Sequence, residues 1–237
     1  MQTEQLDLGG IPALVWGPPG DGAVVAVHGN LSHKADTPIQ LLAEAASARA
    51  LQVLSFDLPE HGDRPKGNPP CKASAAKADL GLVMEYAKSR WREISLFACS
   101  MGAYFSLLAY PDAPLAGALF LSPVVDMEAL ICKMMGWAGV SEERLAREGR
   151  IPTTFGQTLS WEYLRYVRTH PARRWRTPTA ILYGARDHLT DRETVEAFAA
   201  RNGCRLTVEG AGEHWFHTPE QLAVVDRWQR ACLADLE

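Results

Sequence analysis

The 237-residue chain has no Cys-x-x-Cys pair, no His-Glu-x-x-His and no cluster of Cys and His. Nothing in it therefore reads as a metal-ligand set. It also lacks a phosphate-cradling Gly-rich loop, so neither nucleotide nor any other cofactor is expected. No uncharged apolar run approaches the ~18 residues of a transmembrane helix, and no membrane partner is expected. Met1 to Leu8 carries Glu4 and Asp7 and lacks the basic and apolar regions of a signal peptide. The cysteines, Cys71, Cys99, Cys132, Cys204 and Cys232, are odd in number and widely spaced. That argues for reduced thiols and a cytoplasmic protein. A net charge of −4 is wrong for a nucleic-acid partner. The basic trio Arg173, Arg174 and Arg176 reads as a solvated helix end. Internal repeats and low-complexity segments are absent.

What is present is apolar: 47% of the chain, enough to bury a sizeable core. Short apolar runs alternate with helical patterns. Thr3 to Trp16 reads as two strands around Gly9-Gly10. Ala23–Val27, Leu51–Phe56, Ile94–Cys99, Leu115–Leu121, Thr179–Tyr183 and Arg205–Val208 read as strands. Helices are expected over Pro38–Ala50, Lys72–Trp91, Met101–Tyr110, Asp191–Asn202 and Pro219–Leu236, with a loop running through Pro69-Pro70. This alternation predicts an α/β fold: a mostly parallel central sheet flanked by helices on both faces. Met127 to Thr177 breaks the pattern with two or three helical patches and no evident buried strand. At about 50 residues it is too long for a plain connection.

The stretch Ala98-Cys99-Ser100-Met101-Gly102 ends a strand and opens a helix. A sharp strand-to-helix turn brings the residues two before and two after the serine together. Ala98 and Gly102 are small enough for that, and the turn would lift Ser100 off the sheet edge as a nucleophile elbow. The other reading is an ordinary strand followed by a serine N-cap. Side-chain alternation points Cys99 away into packing.

A serine hydroxyl needs an adjacent base, and that base needs a partner to fix its tautomer. In a parallel sheet, residues just after strands meet along one edge. His28, Asp57, Ser100, Asp126, Asp187 and His214 all occupy such positions. His214, in a Gly-rich loop, is the best base, with His217 a second candidate. Asp187 is the best acid, with Asp126 a second candidate, whereas Asp191 reads as a helix start. His28 reads as an organiser of its loop. His33 and His61 read as loop-packing or pocket residues. Trp137, Phe155, Trp161, Tyr163 and Tyr166 suit either an apolar pocket or packing within the 127–177 region.

With His28-Gly29-Asn30, Asp57-Leu58-Pro59-Glu60-His61-Gly62, the elbow, Tyr183-Gly184-Ala185-Arg186-Asp187 and Gly212-Glu213-His214-Trp215-Phe216, the chain resembles the α/β-hydrolase superfamily over nearly its whole length. Ala98 replaces the usual Gly. The resemblance implies Ser100 as nucleophile, Asp187 as acid and His214 as base, with an oxyanion hole from the backbone N–H groups of Asn30 and Met101. It also implies a core of residues 1–126 and 178–237 with a helical cap at 127–177. The expected activity is cleavage of a carboxylic ester of a small or medium substrate through an acyl-enzyme. Thioester hydrolysis, amide or peptide hydrolysis and acyl transfer use the same machinery. A non-catalytic ligand-binding module on the same fold is the rival from outside the enzymes. A haloalkane dehalogenase would need a carboxylate where Ser100 stands. The expected partner is a small ester or acyl compound, and the sequence leaves the oligomeric state open.

Overall fold

The computed structural model describes residues 1–67, 71–172 and 174–235. The expected loop at Pro69-Pro70, Arg173 of the basic trio and Leu236 at the end of the last helix lie outside the described residues. The strands in chain order are β1 (Thr3–Asp7), β2 (Pro12–Trp16), β3 (Gly22–Val27), β4 (Leu51–Phe56), β5 (Glu93–Cys99) and β6 (Ala118–Leu121). A short hairpin of β7 (Arg150–Pro152) and β8 (Thr158–Ser160) follows, then β9 (Thr179–Gly184) and β10 (Arg205–Glu209). Eight strands form one sheet in the order β1-β2-β4-β3-β5-β6-β9-β10. Pairing is antiparallel at β1–β2 and β2–β4 and parallel from β4 to β10.

The helices are α1 (Thr37–Ser47), α2 (Ala73–Arg90), α3 (Met101–Ala109), α4 (Met127–Ala138), α5 (Glu142–Glu148), α6 (Trp161–Thr169), α7 (Arg192–Asn202) and α8 (Pro219–Ala234). Asp36 and Thr218 cap α1 and α8, each with a Pro in the first turn, where its missing N–H costs nothing. Helix α2 has no side-chain cap and is held instead by its buried stripe of Ala76, Leu80, Val83 and Ala87. Burial of the larger of these contributes roughly 1.5–3 kcal/mol each.

The central strands alternate between two cores. Ala23, Val25 and Val27 of β3 and Ile94, Leu96 and Ala98 of β5 join the α2–α3 side. Val24, Ala26 and Phe97 join the α1–α8 side. Because both faces are covered, these strands read as unbroken apolar runs, which is why the sequence exposes them.

Three details differ from expectation. The sixth strand starts at Ala118 rather than Leu115, because Leu115 N–H turns back to the Ala113 carbonyl. Helix α6 ends at Thr169, so Arg174 and Arg176 are not a helix end. They are exposed on either side of buried Trp175 in the connection to β9. The 127–177 region contains the β7–β8 hairpin, whose Ile151 and Leu159 are buried. Among the described residues, no helix is long and apolar enough to cross a membrane.

Candidate active site

Ser100 sits between the last residue of β5 and the first of α3, with φ 50° and ψ −119°. A non-glycine residue holds that left-handed backbone only when its surroundings impose it. Here Ser100 N–H donates to Leu121 O of β6, and Ser100 O accepts from Val124 and Ala103. The Ser100 side chain makes no capping bond to α3, which removes the N-cap reading. The small neighbours have a steric cause. A Cβ on Gly102 would lie 2.4 Å from His28 O and 2.7 Å from Val27 O. One on Gly29 would lie 3.2 Å from Ser100 Cβ. The β3 loop therefore rests directly on the elbow.

The second pair of loops meets by the same device. Gly184, ending β9, and Gly212 approach so closely that a Cβ on Gly184 would lie 2.5 Å from Gly212 O. Arg186 N–H then donates to Gly212 O at 2.9 Å, clamping the two loops together. The result is a continuous chain of side chains. Ser100 Oγ lies 2.7 Å from His214 Nε2, and His214 Nδ1 lies 2.7 Å from Asp187 Oδ2. Asp187 accepts further bonds from Leu189 N–H and from the N–H and hydroxyl of Thr190. These acceptor roles make His214 the Nδ1–H tautomer, leaving Nε2 free to accept the Ser100 proton. The side chains of Asp187 and His214 are both essentially out of solvent. Burial pushes the Asp187 carboxyl up, but the His214 bond and charge and the two backbone N–H donors outweigh it. The group sits below the ordinary carboxylate value.

The other candidates stand outside this hydrogen-bond chain, although His217 also lines the cavity over Ser100. Asp126 is exposed and caps α4 through Ala129 N–H. Asp191 starts α7 and pairs with Lys133. His217 is exposed, with Nδ1 3.5 Å from Glu213. His33 is exposed and accepts from Ala35 N–H. His61 is buried under its loop, donating from Nδ1 to Pro59 O, with Nε2 3.3 Å from Asn30 Oδ1. Cys99 packs on the α1–α8 side as expected but also borders the cavity. Burial raises its thiol to about 12, so it holds its proton at neutral pH.

Asn30 follows His28, whose ring is fixed at both nitrogens. Nδ1 donates to Gly29 O at 2.7 Å, and Nε2 accepts Leu58 N–H at 3.0 Å. An ion pair ties this loop down. Lys34 donates from both its backbone N and Nζ to the fully buried Asp57, and Nζ also reaches Asp63. Only the strand-end position of Asp57 marked it in the sequence; nothing signalled its partner, 23 residues away.

A cavity of about 1040 Å³ opens over Ser100. Its walls come from the β3 loop, the His214 loop and the 127–177 region, which supplies Met134, Trp137, Phe155 and Gln157. Trp161, Tyr163 and Tyr166 do not reach it and pack half-buried against the larger core. Among the described residues, no three His, Cys, Asp or Glu side chains gather as a metal site.

A parallel sheet with a strained serine at a strand-to-helix elbow, followed in the chain by an acid and then a histidine, defines a class of α/β proteins. The model of the alpha/beta hydrolase family matches residues 24–227, and the chain belongs to that family. No curated protein matches it. Among solved structures it is similar to Est1E from Butyrivibrio proteoclasticus with ferulic acid bound, at 18% identity and a TM-score of 0.80 over 98% of each chain. It is also similar to mouse alpha/beta hydrolase domain-containing protein 10, at 11% identity and 0.81 over 100% of each chain. The thioesterase domain from the curacin biosynthetic pathway matches at 18% and 0.62, over 96% of this chain and 98% of that one. At such identities the likeness is one of fold.

Proposed function

We propose that this protein is a serine hydrolase that cleaves a carboxylic ester of a small or medium substrate through an acyl-enzyme on Ser100. The observation that carries the reading is the Ser100–His214–Asp187 chain, with both links at 2.7 Å. In the first step Ser100 Oγ attacks the ester carbonyl carbon while its proton passes to His214 Nε2. Asp187 holds the ring and stabilises the imidazolium that forms. His214 then protonates the departing alcohol. Water, deprotonated by the same nitrogen, attacks the acyl-enzyme and releases the acid, restoring Ser100.

The tetrahedral oxyanion is assigned to the N–H groups of Asn30 and Met101. Neither makes a hydrogen bond to another described residue. Met101 is the first residue of α3, where N–H groups have no intrahelical partner. In a trans peptide the C=O and N–H point opposite ways, so His28 in holding Gly29 O also sets the direction of Asn30 N–H. Donors of this kind lower the barrier by about 3 kcal/mol each.

We assign residues 127–177 as a cap on a core of 1–126 and 178–237, since this segment walls the cavity above Ser100. Five free cysteines suit a cytoplasmic enzyme. The test is a panel of p-nitrophenyl esters, acyl thioesters and aminoacyl anilides against the protein and its Ser100→Ala and His214→Ala variants. Ester turnover lost in both variants is expected. Turnover persisting in Ser100→Ala would place the nucleophile elsewhere, and binding of one ligand with no turnover of any substrate would favour a binding module.

A further inference from the structure

Six large hydrophobic side chains are exposed among the described residues, and four of them line the cavity that holds Ser100. These are Leu31 (83% exposed), Trp137 (46%), Phe155 (39%) and Trp215 (54%). Single exposed apolar residues need no explanation, but a group at one cavity marks a binding surface. Three of the four are aromatic, and each has another ring beside it. Trp137 and Phe155 meet edge to face, with centroids 5.9 Å apart at 87°. Lys133 Nζ lies 5.9 Å from the Trp137 ring centre and is itself paired with Asp191 at the start of α7. Phe155 stands in the turn of the β7–β8 hairpin. There the Thr153 backbone N–H and hydroxyl both donate to Gln157 O, and Gly156 takes φ 84°. Trp215 packs against His214 at 5.8 Å and 87°, and against His188 at 5.5 Å and 61°.

We infer that this mouth is an aryl subsite, in which Trp137 and Phe155 from the insertion and Trp215 beside His214 hold a planar aromatic arm of the substrate. The inference rests on the serine-hydrolase reading for its position beside the scissile bond. Rings held edge to face leave faces and edges for another ring, and aromatic pairs add affinity beyond the area they bury. An alkyl arm would gain the burial but not this term. The cavity, about 1040 Å³, lies just above the roughly 300–1,000 Å³ usual for small-molecule sites, so a ring and an ester fit together. The hairpin supports the reading. It anchors on buried Ile151 and Leu159 and carries an exposed phenyl ring in its turn, an arrangement that folding alone does not require.

The experiment compares each aryl ester with its saturated counterpart: methyl 3-phenylpropanoate against methyl 3-cyclohexylpropanoate, and benzyl acetate against cyclohexylmethyl acetate. The ratio of kcat/KM within at least one pair should favour the aryl ester about tenfold, since each ring contact contributes roughly two- to twelvefold. Trp137→Leu, Phe155→Leu and Trp215→Leu keep apolar bulk but remove a ring, and each should lower that ratio several-fold. Leu82→Ala, at an exposed leucine on α2 away from the cavity, should leave it unchanged. A ratio near one in both pairs overturns the inference, as does a ratio that survives all three ring variants. A rate that rises only above the micelle concentration of an added detergent also overturns it and points to a lipid surface. Binding of 3-phenylpropanoate against 3-cyclohexylpropanoate to the Ser100→Ala protein, read by calorimetry, separates the two proposals. If no ester is hydrolysed, the hydrolase reading fails. Equal binding of the two acids then overturns the subsite as well, and a preference for the aryl acid upholds it.

Discussion

His28 makes the fold's stability fall with pH over a defined window. The ring is buried and holds two loops, donating to Gly29 O and accepting from Leu58 N–H. Protonation would place a second N–H against the Leu58 N–H and charge a group with almost no access to water. Burial is the largest cause and lowers the His28 pKa from 6.5 to about 4; the Gly29 bond and nearby Asp57 and Asp36 oppose it only in part, and His61 adds to it. Between those values the unfolded chain takes up a proton that the folded chain refuses. Stability therefore falls as pH falls through the window, by about 1.4 kcal/mol per pH unit and roughly 3 kcal/mol in all. Below about pH 4 both states carry the proton and this contribution levels off. The assay is urea unfolding at steps from about pH 7.5 to about pH 4, comparing the protein with His28→Asn. The variant can keep a donor to Gly29 O but leaves Leu58 N–H without an acceptor, costing about 1–3 kcal/mol near neutrality. Groups common to both proteins cancel in the difference. That difference should move steadily in the variant's favour toward acid, by up to about 3 kcal/mol, closing the gap or reversing it. A difference that stays constant across the range would refute the assignment of a neutral, structural His28.

Two further outcomes follow from the packing and the hydrogen-bond chain. Gly102→Ala drives a methyl group into the His28 and Val27 carbonyl oxygens, so urea unfolding should show a loss of about 1–3 kcal/mol, with kcat/KM reduced as the elbow and the Asn30 loop move apart. Asp187→Asn places an amide against His214 Nδ1 and favours the wrong tautomer; ester hydrolysis should fall by about 10⁴-fold in kcat with the fold retained, and a drop under tenfold would remove Asp187 from its assigned role.

The sequence exposes most of the sheet, because strands covered on both faces must be apolar at every position. It also exposes the elbow as a small-x-Ser-x-small string between a strand and a helix, although the contact that keeps position 102 small is with the β3 loop rather than with residue 98. The convergence of Ser100, His214 and Asp187 was readable from their places after strands and from the family pattern. Three things were not legible. The β7–β8 hairpin has strands of three residues each, too short for a period, and one includes Pro152. The Lys34–Asp57 pair joins two loops through charges that look like any surface residues in sequence. The aromatic residues of 127–177 are alike in type, so nothing in their spacing separates Trp137 and Phe155, which line the cavity, from Trp161, Tyr163 and Tyr166, which pack inward. That division depends on how α4, α6 and the hairpin dock, and docking is a property of the whole core.

An activated nucleophile at Ser100 reacts irreversibly with an electrophile that mimics the tetrahedral intermediate. The protein is exposed to a fluorophosphonate at neutral pH and its peptides are sequenced by mass spectrometry. One adduct is expected, on Ser100, absent from Ser100→Ala and formed far more slowly in His214→Ala. An adduct on another residue, or labelling of Ser100 at an equal rate without His214, would contradict it.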